Sequence, residues 1–247
     1  MILTSVTLMV KSQKKGGICL ACLDESNDWI RPIKLGVFQE KDIVMDNRKV
    51  MDIFDVVEMN FEVVYPIKHH KENMKIVEND SIKFIRNLSD SEKKTLLLEI
   101  SESNLLNNVE TKLELYDEII KLNRSLVLLG PITSFDISYN LNHPRIWFKG
   151  KNDEEFYVSC TDLKFCAFNK SKINDFMQKS ADYINSKDVE ELKDKETYFV
   201  IGLTGDHLNK DGEIESGKFA SRYRIYEARY WPMVVGIITV PDYFQAE

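Results

Sequence analysis

The sequence predicts a mainly β fold with some α-helix (α+β), arranged as two small β-barrels in tandem that are joined by a helical segment. Two observations lead to this prediction. Short apolar runs rich in β-branched and aromatic residues recur between clusters of Gly, Pro and Asp, as in proteins built from short strands. Between the two groups of runs lies an acidic stretch whose apolar residues recur at helical spacing. With 247 residues, 43% of them hydrophobic, the chain can form one large domain or two small ones.

The first half opens with three strand-like runs that are separated by turn signals. Ile2–Val10 alternates loosely and is β-branched, and the turn signal Lys14–Gly17 separates it from Ile18–Leu23. A polar turn at Asp24–Asp28 then precedes a short third strand at Trp29–Ile33.

A longer β-rich stretch, Val50–Tyr65, follows these strands. Its apolar positions slip phase once, and a bulge near Val56-Val57 would explain the slip. Residues 67–82 are polar and basic, and this composition predicts an exposed loop.

Helix signals begin at Ser89-Asp90-Ser91-Glu92, a capping box that leads into Lys93–Ile100. Four further apolar residues recur at spacings of four, three and four, on one face of an amphipathic helix: Val109, Leu113, Tyr116 and Ile120. The predicted organisation is therefore an N-terminal barrel over residues 1–88, an acidic helical connector over 89–124 and a C-terminal barrel over 125–247.

The second half shows the order strand, strand, strand, helix, strand, strand. The strand-like regions are Ser125–Leu129 with Ile132–Ser138 (broken at Gly130-Pro131), Arg145–Phe148, Glu155–Cys160, Tyr198–Leu203 and Tyr223–Val240 (bent at Pro232). The helix has one apolar face made of Ile173, Phe176, Met177, Tyr183 and Ile184. This is the order of an OB-fold, a small five-stranded Greek-key barrel, so the second barrel is predicted to be OB-like from its pattern. SH3-like and other small barrels are alternatives, and the first half is only a weak repeat of the second.

Several short fragments are spread over nearly the whole chain. They are Gly17–Ala21 with Asp28–Pro32, Pro66 with the His-containing loop Lys68–Asn73, Arg145–Phe148 with Tyr157 and Thr161-Asp162, and Tyr230–Ile237. Together they resemble the dual OB-containing domain family of bacterial and archaeal proteins. The resemblance implies two tandem OB barrels and a role linked to nucleic acids, and it supplies no catalytic residues.

OB barrels bind nucleic acids on one sheet face, where aromatic side chains stack on bases and basic side chains contact phosphates. Residues two apart on a strand share a face. The predicted nucleic-acid-binding residues are therefore Trp29 with Arg31, Arg145 with Trp147 and Lys149, Arg222 with Arg224 and Tyr226, and His69 in the basic loop. The structural alternative is that the tryptophans close the barrel ends and that the arginines cover the rims.

No residue set in the sequence points to catalysis, to a metal or to a cofactor. His69 and His70 have no Cys or carboxylate at a standard ligand spacing. The common hydrolase, zinc-protease and dinucleotide-binding motifs are absent from the sequence. Cys19 and Cys22 are three apart on a predicted strand, so they point to opposite faces and are predicted to be small buried hydrophobes.

The net charge of −7 counts against a surface coated in DNA-binding charge. The charge is uneven, however, because Ser89–Glu118 holds eight acids against three lysines whereas Lys218–Trp231 holds four basic residues against one acid. No apolar run approaches the roughly 18–20 residues of a membrane span. The apolar start Met1–Val10 is followed rather than preceded by lysines, the reverse of a signal peptide, which predicts a cytoplasmic protein.

Three functional hypotheses follow. The first is a non-catalytic module that holds single-stranded nucleic acid or a nucleotide between two OB-type barrels. The second is a protein-interaction or adaptor subunit that docks a partner through the acidic helical segment. The third is a nucleic-acid-processing enzyme with a site near His69 and His70. The sequence does not separate RNA from DNA or monomer from dimer.

Overall fold

The structure is a computed structural model that describes residues 2–14, 16–62, 70–77, 80–102, 119, 121, 124–138, 144–149, 155–167, 192–203 and 232–242. This described part is mainly β. Its strands are β1 (Ile2–Lys14), β2 (Gly17–Asp24), β3 (Trp29–Ile33), β4 (Asp55–Glu62), β5 (Asn73–Ile76), β6 (Lys83–Asn87), β7 (Leu126–Leu129), β8 (Phe135–Ser138), β9 (Arg145–Lys149), β10 (Glu155–Ser159), β11 (Glu196–Leu203) and β12 (Pro232–Val240). Helix α1 covers Asp90–Ile100, and a short 3-10 helix covers Glu40–Ile43.

Five strands of the first half close into a barrel. β1 pairs antiparallel with both β2 and β4, and β2 pairs antiparallel with β3. β5 lies between β3, to which it is parallel, and β4, to which it is antiparallel. The order around the barrel is therefore β1-β2-β3-β5-β4-β1, a five-stranded Greek-key closure of the OB type. Leu8, Leu20, Val57 and Phe61 are fully or almost fully buried inside it.

The exposed loop predicted for residues 67–82 is wrong for its second part, because Asn73–Ile76 form β5. A four-residue strand is too short to give a reliable local pattern. It becomes a strand because β3 and β4 supply its hydrogen-bond partners on both sides. The bulge predicted near Val56-Val57 is confirmed, since the register between β4 and β6 shifts between these two residues.

The second half contains two three-stranded sheets, in the orders β8–β9–β10 and β7–β11–β12. The predicted β9–β10 hairpin is confirmed. A parallel bridge between Cys160 and Val234 joins the end of β10 to β12. The helix predicted around residues 173–184 and the first part of the last strand region, 223–231, lie outside the described residues.

A shared core joins the two halves. Trp29 and Leu23 from the barrel are buried in one cluster with Leu126 and Tyr198 from the second half. The seam is also hydrogen-bonded, because the backbone N–H of Gln13 in β1 donates to a carbonyl of the second half at 2.6 Å. No helix in the described part is long and apolar enough to cross a membrane.

Helix α1 begins as predicted. The side chain of Ser89 accepts a hydrogen bond from the backbone N–H of Glu92, and the carboxylate of Glu92 accepts one from the backbone N–H of Ser89 at 2.7 Å. This reciprocal pair satisfies two backbone donors at the helix start. Leu97 is fully buried in the shared core and fixes which face of α1 points inward.

Gly17, at the start of β2, is a position where the fold requires glycine. A Cβ atom here would collide with the backbone carbonyl of Phe38 and would lie 2.6 Å from a methyl group of Val37. The same Phe38 carbonyl accepts the Ile18 N–H at 2.8 Å, so it cannot move away freely. We expect Gly17→Ala to lower the free energy of unfolding by about 1–3 kcal/mol, measured by urea denaturation. Ser26→Ala, on an exposed turn, is the control and should change it by less than about 0.5 kcal/mol.

Candidate nucleic-acid interface

The outer face of the β8–β9–β10 sheet carries a basic and aromatic surface. In β9, Arg145, Trp147 and Lys149 alternate with the buried Ile146 and Phe148. Because successive side chains of a strand point to opposite faces, the three residues point away from the core together. The shared face predicted for this row is therefore present.

The neighbouring strand extends this row into a stack. Trp147 lies directly opposite Tyr157 of β10, with their ring centroids 4.2 Å apart and the rings tilted by 34°. On the same face, the guanidinium carbon of Arg145 lies 4.6 Å from the centre of the Tyr157 ring. This distance is within the range of a cation–π interaction. Trp147, Tyr157 and Arg145 thus form one partly exposed stack, which we call the β9–β10 stack.

Acidic residues on the same face limit its positive charge. Lys149 lies opposite Glu155, and the exposed Asp136 of β8 lies opposite Trp147. Stacking on the rings is therefore the main interaction that this face can offer, and Arg145 and Lys149 are its two basic side chains.

The second predicted pair, Trp29 with Arg31 on β3, does not form an exposed surface of this kind. Trp29 is 8% exposed and packs in the shared core, so its ring does not lie on an open face. Arg31, two residues along β3, has its guanidinium in a polar cluster at the start of β7. The structure therefore does not bring Trp29 and Arg31 onto one surface with the β9–β10 stack.

The cluster around Arg31 contains His70, Glu72 and Ser125, and we call it the Arg31 cluster. Arg31 lies 2.7 Å from His70 Nδ1 and donates a hydrogen bond of 2.7 Å to Ser125 Oγ. Ser125 Oγ donates to Glu72 Oε1, which lies 3.6 Å from the guanidinium of Arg31.

Opposing effects act on the ionisable groups of the Arg31 cluster. Burial alone would raise the pKa of the Glu72 carboxyl, but the adjacent His70, Arg31 and Ser125 outweigh burial and lower that pKa. Burial also lowers the pKa of Arg31, and the nearby charge of Glu72 partly offsets this effect. Ser125 is fully buried. The cluster therefore links β3 of the barrel to the residue that precedes β7.

Four predicted residues, His69, Arg222, Arg224 and Tyr226, lie outside the described residues. The residues predicted from the sequence did not include three members of the two sites: Tyr157, Glu72 and Ser125. The hairpin pattern indicated that β10 pairs with β9, but only the register places Tyr157 beside Trp147. Glu72 and Ser125 are 53 residues apart and gave no local signal.

Among the described residues, no group of three or more His, Cys, Asp or Glu could hold a metal ion. Cys22 is fully buried and Cys19 is partly exposed, in line with their opposite faces.

Comparisons with known proteins add one family. A sequence model of the dual OB-containing domain matches residues 4–207. No curated protein matches the chain. Among solved structures, the crystal structure of the tetrameric p202 HIN2 is 8% identical with a TM-score of 0.31, and the match covers 96% of this chain and 91% of that chain.

Proposed function

Because this chain belongs to the dual OB-containing domain family, we propose that it is a non-catalytic protein that binds single-stranded nucleic acid. The observation that carries the proposal is the β9–β10 stack, in which Trp147 and Tyr157 lie side by side with the Arg145 guanidinium over the Tyr157 ring. Bases of a single strand would stack on the exposed ring surface, and Arg145 and Lys149 would contact the phosphates.

We also propose that the second half is an OB-type barrel in its own right, following a helical connector. If β7 and β8 together take the place of a first strand, the neighbour order becomes β8-β9-β10-β12-β11-β7. This is the order of the first barrel, including the parallel contact between its third and fifth strands. That agreement supports barrels over residues 1–88 and 125–247, with the connector over 89–124. A cytoplasmic location is likewise a proposal from the sequence.

The proposed binding depends more on stacking than on charge. Each stacked base contributes roughly 1–3 kcal/mol by alanine substitution. Two phosphate contacts, from Arg145 and Lys149, give a slope of about −1.4 for log affinity against log salt on a single strand. The carboxylates of Asp136 and Glu155 on the same face keep this slope shallow.

The test is Trp147→Ala with fluorescence anisotropy of labelled single-stranded DNA and RNA over a salt series. We expect the dissociation constant to rise about tenfold or more, because one stacking surface is lost. Trp147→Phe should retain most of the affinity, since a ring remains. Lys83→Ala removes an exposed cation from β6, away from the stack, and should leave affinity unchanged.

Two outcomes would overturn the proposal. The first is the absence of binding to either nucleic acid at low salt. The second is an affinity that Trp147→Ala and Lys83→Ala lower equally. Mononucleotides in parallel samples distinguish a nucleotide site from a strand-binding surface, because stacking along a strand requires several linked bases.

A further inference from the structure

A groove of about 580 Å³ runs between α1 and the outside of the first barrel. One wall is the face of α1 that carries Thr95, Leu96 and Glu99. The opposite wall is the β2–β3 turn, where Asn27 donates a hydrogen bond of 3.3 Å to Glu99 and closes one end. Leu97 of α1 points into the shared core, and Leu96 both packs against that core and lines the groove beside it.

The floor of the groove combines apolar and hydroxyl groups. Val56 and Leu88 form buried apolar surface, and Ile85 is 41% exposed. Thr7 of β1 adds a hydroxyl beside them. A ligand that covers this floor must therefore bring apolar side chains as well as polar ones.

The walls of the groove are acidic. Four carboxylates line it, against one cation: Asp24, Glu25, Glu92 and Glu99, with Arg86. That cation is already paired, because Arg86 Nη1 lies 2.7 Å from Glu92 Oε1. The remaining negative charge repels phosphates and favours a positively charged ligand.

We propose that this groove docks an extended segment of a partner protein that is basic and carries apolar side chains. The charge complementarity of Glu25 and Glu99 selects lysine or arginine, and the floor at Ile85 and Val56 takes the apolar side chains between them. This site lies apart from the β9–β10 stack and does not depend on the proposed nucleic-acid binding. The protein would thus offer one surface for a single strand and another for a basic protein segment.

The test is anisotropy of a labelled basic probe, the peptide Lys-Leu-Lys-Ile-Lys-Leu, against the full chain. We expect Glu25→Lys combined with Glu99→Lys to weaken binding of this probe about tenfold or more. Affinity for single-stranded DNA should not fall, because added positive charge favours phosphates. The control Glu40→Lys with Glu196→Lys makes the same change in net charge at exposed carboxylates outside the groove lining, and should leave probe binding close to that of the wild type.

A second variant keeps the test valid if the loss of the Asn27–Glu99 hydrogen bond disturbs folding. Thr95→Tyr fills the groove without changing charge and should also weaken probe binding. The proposal is overturned if the basic probe does not bind at about 1 mM, if a Glu-for-Lys version of the probe binds equally well, or if both double variants have the same effect. Concentration-dependent self-association that the groove variants abolish would assign the groove to a second copy of the chain and would equally overturn it.

Discussion

Replacing Glu72 by glutamine is expected to lower the free energy of unfolding by about 3–5 kcal/mol, because it leaves a largely buried guanidinium without its carboxylate. The Glu72 side chain is 3% exposed and that of Arg31 is 19% exposed. The low pKa of Glu72 shows that the carboxylate is the stabilised form in the Arg31 cluster. Urea denaturation at neutral pH measures the effect. The cluster spans β3 and the residue preceding β7, so the loss should loosen the contact between the halves.

Two further variants distinguish the contribution of this buried ion pair to stability from that of an exposed ion pair. Glu62→Gln removes the partner of Lys75, but both side chains are nearly half exposed, so we expect a loss of no more than about 1 kcal/mol. Adding Arg31→Met to Glu72→Gln should recover part of the stability, since no unpaired charge then remains buried. Equal losses for Glu72→Gln and Glu62→Gln would contradict this account.

Stability should also depend on pH through Asp162. Asp162 is 5% exposed, and its carboxylate accepts hydrogen bonds from the backbone N–H groups of Phe165 at 2.7 Å and Ile237 at 3.2 Å. Burial raises the pKa of Asp162 to about 6, although these N–H groups and two nearby lysines act against it. The folded-state pKa therefore lies above the unfolded value of about 3.9. The contribution of protonated Asp162 is fully present below about pH 4 and is lost as the pH rises through about 6.

The difference in unfolding free energy between the wild type and Asp162→Asn isolates this contribution. We expect the wild type to lose about 2 kcal/mol relative to the variant between about pH 4.5 and pH 7.5. Asp52 provides a control of opposite sign. Burial acts to raise its pKa, but the charges of Lys11 and Lys164 outweigh burial and lower it. The stabilisation from Asp52 is therefore lost as the pH falls. Parallel pH curves for wild type and Asp162→Asn would contradict the burial of a titrating carboxyl group.

Much of the fold follows from local pattern. The sequence predicts β3 at Trp29–Ile33, the capping box at Ser89 and the break at Gly130-Pro131, and the structure contains all three features. It also predicts that Arg145, Trp147 and Lys149 share a face. These features depend on residues a few positions apart, for which propensity, turn chemistry and the two-residue period of a strand are sufficient.

Features that depend on distant partners could be decided only by the tertiary structure. Asn73–Ile76 is a strand because β3 and β4 flank it, and this strand closes the barrel in the half where the sequence pattern was weaker. The sequence predicts Trp29 on one strand face with Arg31, as part of a binding surface. In the structure Trp29 is buried in one cluster with Leu126 and Tyr198.

The same division holds for the site. The sequence by itself determined the Arg145 row, the acidic segment and the order of the described strands in the second half. The register of β9 with β10 decided that Tyr157 completes the stack, and the docking of the two halves decided that Ser125 meets Arg31 and Glu72. The physical reason is that burial and pairing energies arise between residues far apart in the chain, whereas a sequence pattern records only the preferences of neighbours.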